Sequence, residues 1–351
     1  MSPFQIQSPP PKARRRWPRF RLRTLFVLLT LACLWLGWQA KRARDQKQAV
    51  AAIRAAGGNI IYTYQVAPNG TLKDPGLPDS SRPLAPAWLR DALGEDFFIT
   101  AYSVMLPSPA PGGGVQTVNT QVSDETLKHL AKLPRLKSLG IGALELTDSS
   151  LHLIAELPQV EHIVLRSPRL TDAGIAHLAR LPRLKTLSIA GEQFSDQSIV
   201  ALRAFPQLEW LTLNGGHMTN DGLAHLKHLP KLRRLALSGT GPGGGVKTKM
   251  TGAGLKHVAE VAELVDLQMY DFDLNDDDLE PLSRLTKLRS ASFSGTGVTA
   301  AGMAKLKKAL PQAWLTASTG AGSIYPPVKN NQSAMAGVPI VDETEPKDSG
   351  K

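Results

Sequence analysis

Cysteine is almost absent from this chain of 351 residues, with Cys33 as the sole example. No intrachain disulfide can form, and no cluster of thiolates can hold a metal. Catalytic spacings are missing as well. The eight histidines never fall into a His-Glu-x-x-His pattern, and no Gly-x-Ser-x-Gly elbow occurs. Acidic residues are missing from the N-terminal stretch. Lys12, Arg14, Arg15, Arg16, Arg19, Arg21 and Arg23 all precede Thr24 without one acid among them. The formal net charge of +11 therefore falls to +4 (11 − 7) over the remainder. A modest excess spread over so long a chain does not point to nucleic acid.

What is present begins with one apolar run, Leu25 to Ala40, sixteen residues without a charge. Arg23 and Lys41 flank it, and Trp35 and Trp38 suit an interfacial belt. The pattern predicts a transmembrane signal anchor over 24–40, behind a disordered basic cytoplasmic tail over 1–23. The asymmetry of the flanks predicts residence in the inner cell membrane as a single-pass protein, with the C-terminal domain on the non-cytoplasmic side and the lipid bilayer contacted through 24–40. A cleaved signal peptide and a buried soluble helix are the competing readings of the same run. Trp38-Gln39-Ala40-Lys41 is a poor cleavage site, and the dense arginines oppose burial.

Residues 41–121 read as a helical linker followed by an α/β cap. The stretch 41–56 has no helix breaker, and Gly57-Gly58 ends it. Ile60 to Val66 and Phe97 to Met105 have the β-branched and aromatic content of strands. Residues 87–93, with Trp88, Leu89 and Leu93, read as a short helix.

From Val122 the sequence repeats every 24 residues, opening at Val122, Leu146, Leu170, Phe194 and Met218. The sixth opening, Met250, comes eight residues late, and Leu274 and Val298 resume the spacing. In the third unit Ile175, Leu178 and Leu181 define a short amphipathic helix. Thr171-Asp172 stands where a first turn needs hydrogen-bond acceptors, and Pro182 closes the helix. Leu184, Leu187 and Ile189 then form the buried side of a short strand. Such units cannot bury their apolar faces alone and must stack. The repeats cover 122–319, about eight units with an insertion near 241–248. Trp314 is expected to cover the last turn, and the polar stretch 320–351 to be disordered.

The recurring Leu-x-x-Leu-x-Leu core resembles that of leucine-rich repeat proteins. The Thr-Asp-x-Gly-Leu-x-x-Leu opening is similar to the repeats of F-box-associated leucine-rich proteins and of membrane-anchored leucine-rich repeat proteins of planctomycete type, and the segment Phe20-Arg21-Leu22-Arg23-Thr24-Leu25 resembles the latter too. The resemblance implies an α/β solenoid, a horseshoe with a parallel concave sheet and convex helices, preceded here by one transmembrane helix. The family's side-chain asparagine ladder is missing. Its slot holds Leu144, Pro168, Glu192, Gly216 and Thr240.

With strand positions 4 and 6 directed inward by alternation, and position 1 inward as the resemblance implies, positions 3, 5 and 7 line the concave face. Most are small. His162, Arg166, Trp210, Arg234, Asp266 and Tyr270 are the large or charged exceptions, and they are the candidate partner-binding residues. The loop Gly241-Pro242-Gly243-Gly244-Gly245-Val246-Lys247-Thr248 departs from a phosphate loop, because Val246 separates the last glycine from the lysine. The acids Asp271, Asp273, Asp276, Asp277 and Asp278 do not match an EF-hand spacing and suit a helix N-terminus instead. Asn69-Gly70-Thr71 and Asn331-Gln332-Ser333 match the glycosylation acceptor. The sequence therefore reads as a non-enzymatic binding module without cofactor or metal, recognising a protein or envelope polymer through its solenoid. The alternative is a structural envelope protein acting by self-association. Oligomeric state is left open.

Overall fold

A chain that repeats its apolar pattern can bury it only against the next copy of itself. The computed structural model describes residues 22–66, 97–106, 122–143, 145–240 and 247–318. The basic tail up to residue 21, the expected helix at 87–93, Leu144, most of the glycine-rich insertion, both glycosylation acceptors and the stretch 320–351 lie outside the described residues.

Ten strands form one sheet in sequence order. They are β1 (Asn59–Tyr62), β2 (Ala101–Leu106), β3 (Ser138–Gly142), β4 (His162–Arg166), β5 (Thr186–Ala190), β6 (Trp210–Asn214), β7 (Arg234–Ser238), β8 (Asp266–Tyr270), β9 (Ser290–Ser294) and β10 (Trp314–Ser318). β1 runs antiparallel to β2, and every later neighbouring pair is parallel. The repeats stack in phase: Leu139, Ile163, Leu187, Leu211, Leu235, Leu267 and Ala291 are successive partners. The insertion after Thr240 does not shift this register, because Leu235 still faces Leu267.

Between strands the chain returns through short helices. These are α2 (Asp124–Leu130), α3 (Asp148–Ile154), α4 (Asp172–His177), α5 (Asp196–Ala201), α6 (Asn220–Leu223), α7 (Leu255–Val258) and α8 (Ala300–Ala309), with a 3-10 helix over Asp277–Arg284 in the seventh unit. Their leucines and the strand residues at positions 4 and 6 form one continuous buried cluster. Each fully buried leucine contributes ~1.5–3 kcal/mol.

The helix starts divide the Thr-Asp pair between two tasks. Thr171 is the cap: its hydroxyl accepts from the Ala173 amide at 3.2 Å. The aspartate does not cap its own helix. Asp148 reaches one turn forward, where Oδ1 accepts from the Thr171 amide at 3.0 Å and Oδ2 from its hydroxyl at 2.6 Å. Asp172–Ser195, Asp196–Thr219 and Asp276–Thr299 repeat the arrangement. These carboxylates stitch the helical side, in a chain that lacks the asparagine ladder of the family it resembles.

The cap covers the first turn. Ala49, Val50 and Ile53 of the helix preceding β1 are buried in the common core, and the buried Gln46 donates to the Ile99 carbonyl at 2.9 Å. β2 places Val104 beside Leu139. The expected strands are shorter than their sequence signals: Thr63–Gln65 turns into a 3-10 helix, and Phe97–Thr100 precedes β2 without joining it. At the far end the expectation for Trp314 is not met. It is 73% exposed, while Leu306, Leu310 and Ala313 are buried at the last turn.

The transmembrane assignment is corrected. Residues 24–40 and the expected linker form one helix, α1, Leu22–Ala55, which also takes in Leu22 and Arg23 from the expected tail. Among the described residues no helix is long and apolar enough to cross a membrane. The physical reason is length and dilution. The uncharged run ends at Lys41, includes Thr30, Gly37 and Gln39, and continues straight into Arg42, Arg44 and Asp45. A bilayer core requires about 20 predominantly apolar residues. The signal anchor, the bilayer contact through 24–40, the inner-membrane localisation and the resulting orientation of the C-terminal domain are withdrawn with it.

Candidate functional site

Strand residues alternate between faces. Since positions 4 and 6 lie in the core shared with the helices, positions 3, 5 and 7 occupy the opposite face. The register joins them into rows. Ser138, His162, Thr186, Trp210, Arg234, Asp266 and Ser290 are successive partners along one row. Arg166, Ala190, Asn214, Ser238 and Tyr270 follow one another along another.

The six candidate residues separate into two groups, divided by Thr186, Ser188 and Ala190 of β5. His162 and Arg166 form the first. His162 is only 6% exposed, and its Nδ1 lies 3.0 Å from the Thr186 hydroxyl. Burial pushes its pKa down to about 4, with Glu161 opposing the shift and Lys185 and Lys137 adding to it. The ring is neutral at neutral pH and serves as a packed hydrogen-bonding group. Arg166 is half-buried.

The second group is continuous. The Arg234 guanidinium lies over the Trp210 ring, 5.4 Å from its centroid, where the ring quadrupole attracts it. Asp266 is the next residue along the row. Gln268 donates to Asp266 Oδ2 at 3.0 Å, and the Tyr270 hydroxyl donates to Gln268 Oε1 at 3.0 Å. Burial first and then the charge of Asp266 raise the Tyr270 pKa to about 12, so the phenol stays protonated and can donate. Trp210, Arg234 and Asp266 are half-buried, and Tyr270 is buried. Gln268 is the link that sequence reading left unremarked. Its position 5 marked it as surface, but nothing in its type announced that it joins Asp266 to Tyr270.

The acidic run is occupied with structure. Asp276 caps Thr299 at 2.7 and 2.6 Å, Asp278 accepts from the Asn275 amide at 2.8 Å, and Asp277 pairs with Lys305 at 3.8 Å. Among the described residues no three His, Cys, Asp or Glu side chains are gathered so as to hold a metal ion.

Stacked units of strand and short helix, with leucines directed inward in unbroken register, define a leucine-rich-repeat solenoid. No family model matches the sequence, and no curated protein matches it. Solved structures that are similar in part include the following three. Internalin C2 of Listeria monocytogenes has a TM-score of 0.38 and 16% identity, covering 64% of this chain and 82% of that one. A second internalin of the same species has a TM-score of 0.38 and 16% identity, covering 56% and 58%. A leucine-rich-repeat protein of Leptospira interrogans has a TM-score of 0.38 and 16% identity, covering 54% and 44%. The repeat architecture rests on the chain's own register rather than on these likenesses.

Proposed function

We propose that the chain is a non-catalytic module that binds a protein partner across the helix-free face of its sheet, centred on Trp210 and Arg234. The observation that carries this reading is their stacked pair on adjacent strands, continued by the Asp266–Gln268–Tyr270 network. An aromatic, an arginine and fixed polar groups on a rigid sheet are the composition of an interaction hot spot. His162 and Arg166 extend the same face beyond β5. The Thr-Asp-x-Gly-Leu-x-x-Leu opening supports placing the repeats with the planctomycete type, without the anchor.

The test is affinity capture from a native extract with the full chain, beside a W210A/R234A double variant and a variant altered on the helical side. A partner retained by the parent and the helical-side variant, but lost from the double variant, supports the reading. Equal capture by all three overturns it.

Self-association is the second reading. It is favoured by β10, which pairs with β9 alone among the named strands and carries the exposed Trp314. Concentration-dependent assembly abolished by W314A supports it, and a strictly monomeric parent chain rules it out.

A further inference from the structure

The loops leading into the strands carry a second row, three residues before each strand begins: Arg135, Gln159, Arg183, Gln207, Lys231, Glu263 and Lys287. Toward the C-terminal end its cations find partners one turn away. Lys231 donates to Gln207 at 2.6 Å, and Lys287 pairs with Glu263 at 2.5 Å. The neighbouring row, immediately before the strands, shows the same principle. Glu161 bridges Lys137 and Lys185, at 2.8 Å to each. Its burial would raise its pKa, but the two lysines outweigh that and hold it below the ordinary value.

At the N-terminal end the outer row lacks this compensation. Between Arg135 and Arg183 stands Gln159, a neutral side chain that donates to the Leu133 carbonyl at 3.3 Å. Neither arginine has an ion pair among the described residues. Helix α1 adds to the excess. Arg42 lies over Trp38, 5.5 Å from its ring centroid, and after burial the charge of Arg135 is what lowers its pKa. Arg42 and Arg135 line one groove. Three adjoining grooves meet here, joined in pairs by Pro134, Arg42 and Arg135. Lys41 and Lys132 line the groove that joins Arg42 to Pro134, with Asp45 as its acid. A continuous strip joins the end of the apolar half of α1 to the third repeat.

We propose that this strip docks an acidic segment of a partner protein, whose carboxylates take between Arg42, Arg135 and Arg183 the place that Glu161 takes between Lys137 and Lys185. Guanidinium groups accept carboxylates in paired hydrogen bonds, and Trp38 and Pro134 provide an apolar floor for side chains flanking the acids. The surface is distinct from the Trp210–Arg234 face, and the inference does not depend on that reading.

The experiment is fluorescence anisotropy of a labelled decapeptide of alternating Asp and Glu, titrated with the full chain at low salt and at about 0.15 M salt. Two variants accompany the parent: R42A/R135A removes cations, and Q159E supplies the missing carboxylate from within. Arg135 is exposed and Arg42 and Gln159 are half-buried, so circular dichroism is used to check that each variant is folded. Each variant is expected to bind about tenfold more weakly than the parent, while K308A, which removes an exposed lysine at the far end of the array, binds as the parent does. Peptide affinity unchanged in Q159E and R42A/R135A overturns the proposal. So does an oligonucleotide of equal charge binding as tightly as the peptide, which would mark the strip as a general polyanion surface.

Discussion

Asp196 of one turn holds Thr219 of the next with both carboxylate oxygens: Oδ1 accepts from the backbone amide and Oδ2 from the hydroxyl, each at 2.7 Å. The Thr219 hydroxyl in turn accepts from the Asp221 amide at 3.2 Å. One carboxylate therefore fixes a helix start in its neighbour, and the array is joined on the helical side by a relay of such contacts.

Removing one link has a bounded cost. Asp196→Ala leaves the Thr219 amide and hydroxyl without their acceptor and is expected to destabilise by ~1–3 kcal/mol. Asp196→Asn should cost less, because Asn220 already performs the task, accepting from the Thr251 amide at 2.9 Å and donating to its hydroxyl at 3.0 Å. Urea denaturation of the three proteins measures the order, and equal midpoints would show that the link carries no stability.

Gly222 exists for the same carboxylate. A Cβ built there would fall inside contact distance of Asp196 Oδ1. Gly222→Ala is therefore expected to lose ~1–3 kcal/mol through overpacking. Gly222→Ser should recover part of this, since Ser150 occupies the equivalent place and donates to Asp124 at 2.7 Å. Thermal melts that rank alanine at or above serine would contradict the account.

The sixth and seventh units have exchanged their roles. Gly252 stands where the first five units have a forward-reaching aspartate or asparagine, and Asp278 fills the space above it while accepting from the Asn275 amide. Gly252→Asp alone should be strongly destabilising, because two carboxylates would share one site. Asp278→Gly alone should remove the Asn275 contact. The double variant restores the arrangement of the other turns and is expected to be more stable than the sum of the singles by at least ~1 kcal/mol. Additivity in a double-mutant cycle would refute this compensation.

His162 makes stability depend on acidity. Its folded pKa of about 4 lies below the ordinary value of 6.5, so between these pH values the unfolded chain binds the proton and the folded chain does not. Stability from this group is complete above about pH 6.5 and falls as pH drops toward 4, by on the order of 3 kcal/mol in total. His162→Gln, which keeps a polar group opposite Thr186 but cannot titrate, should flatten the dependence in that window. An unchanged slope in unfolding free energy against pH would place the titration elsewhere.

The rows of the sheet were legible because the repeat is regular. Once Leu136, Leu139 and Ile141 are set inward in one unit, the same spacing assigns Leu208, Leu211 and Leu213 in another, and Trp210 follows to the opposite face. His162 obeyed the same rule and is nevertheless buried, since exposure depends on the size of neighbours in adjacent turns and not on alternation alone. Gln268 was placed but not understood, because its two partners become neighbours only through the pleat of one strand.

Period, inward positions and the need to stack were determined by the sequence itself, since a 24-residue apolar repeat has no other way to remove its leucines from water. Tertiary structure decided the rest. Asp148 and Thr171 are adjacent only because one turn lies on the next, so a local reading gives each aspartate to its own helix and misses the link. The eight-residue insertion leaves the strands in phase because pairing of Leu235 with Leu267 holds the core continuous. The apolar run of Leu25 to Ala40 reads as a unit by composition, yet the backbone carries one helix through it to Ala55: hydrogen bonding continues past Lys41, Ala49 and Ile53 pack into the common core, and the helix ends where Gly57 takes a φ of 75° and the Gly58 amide donates back to the Ile53 carbonyl.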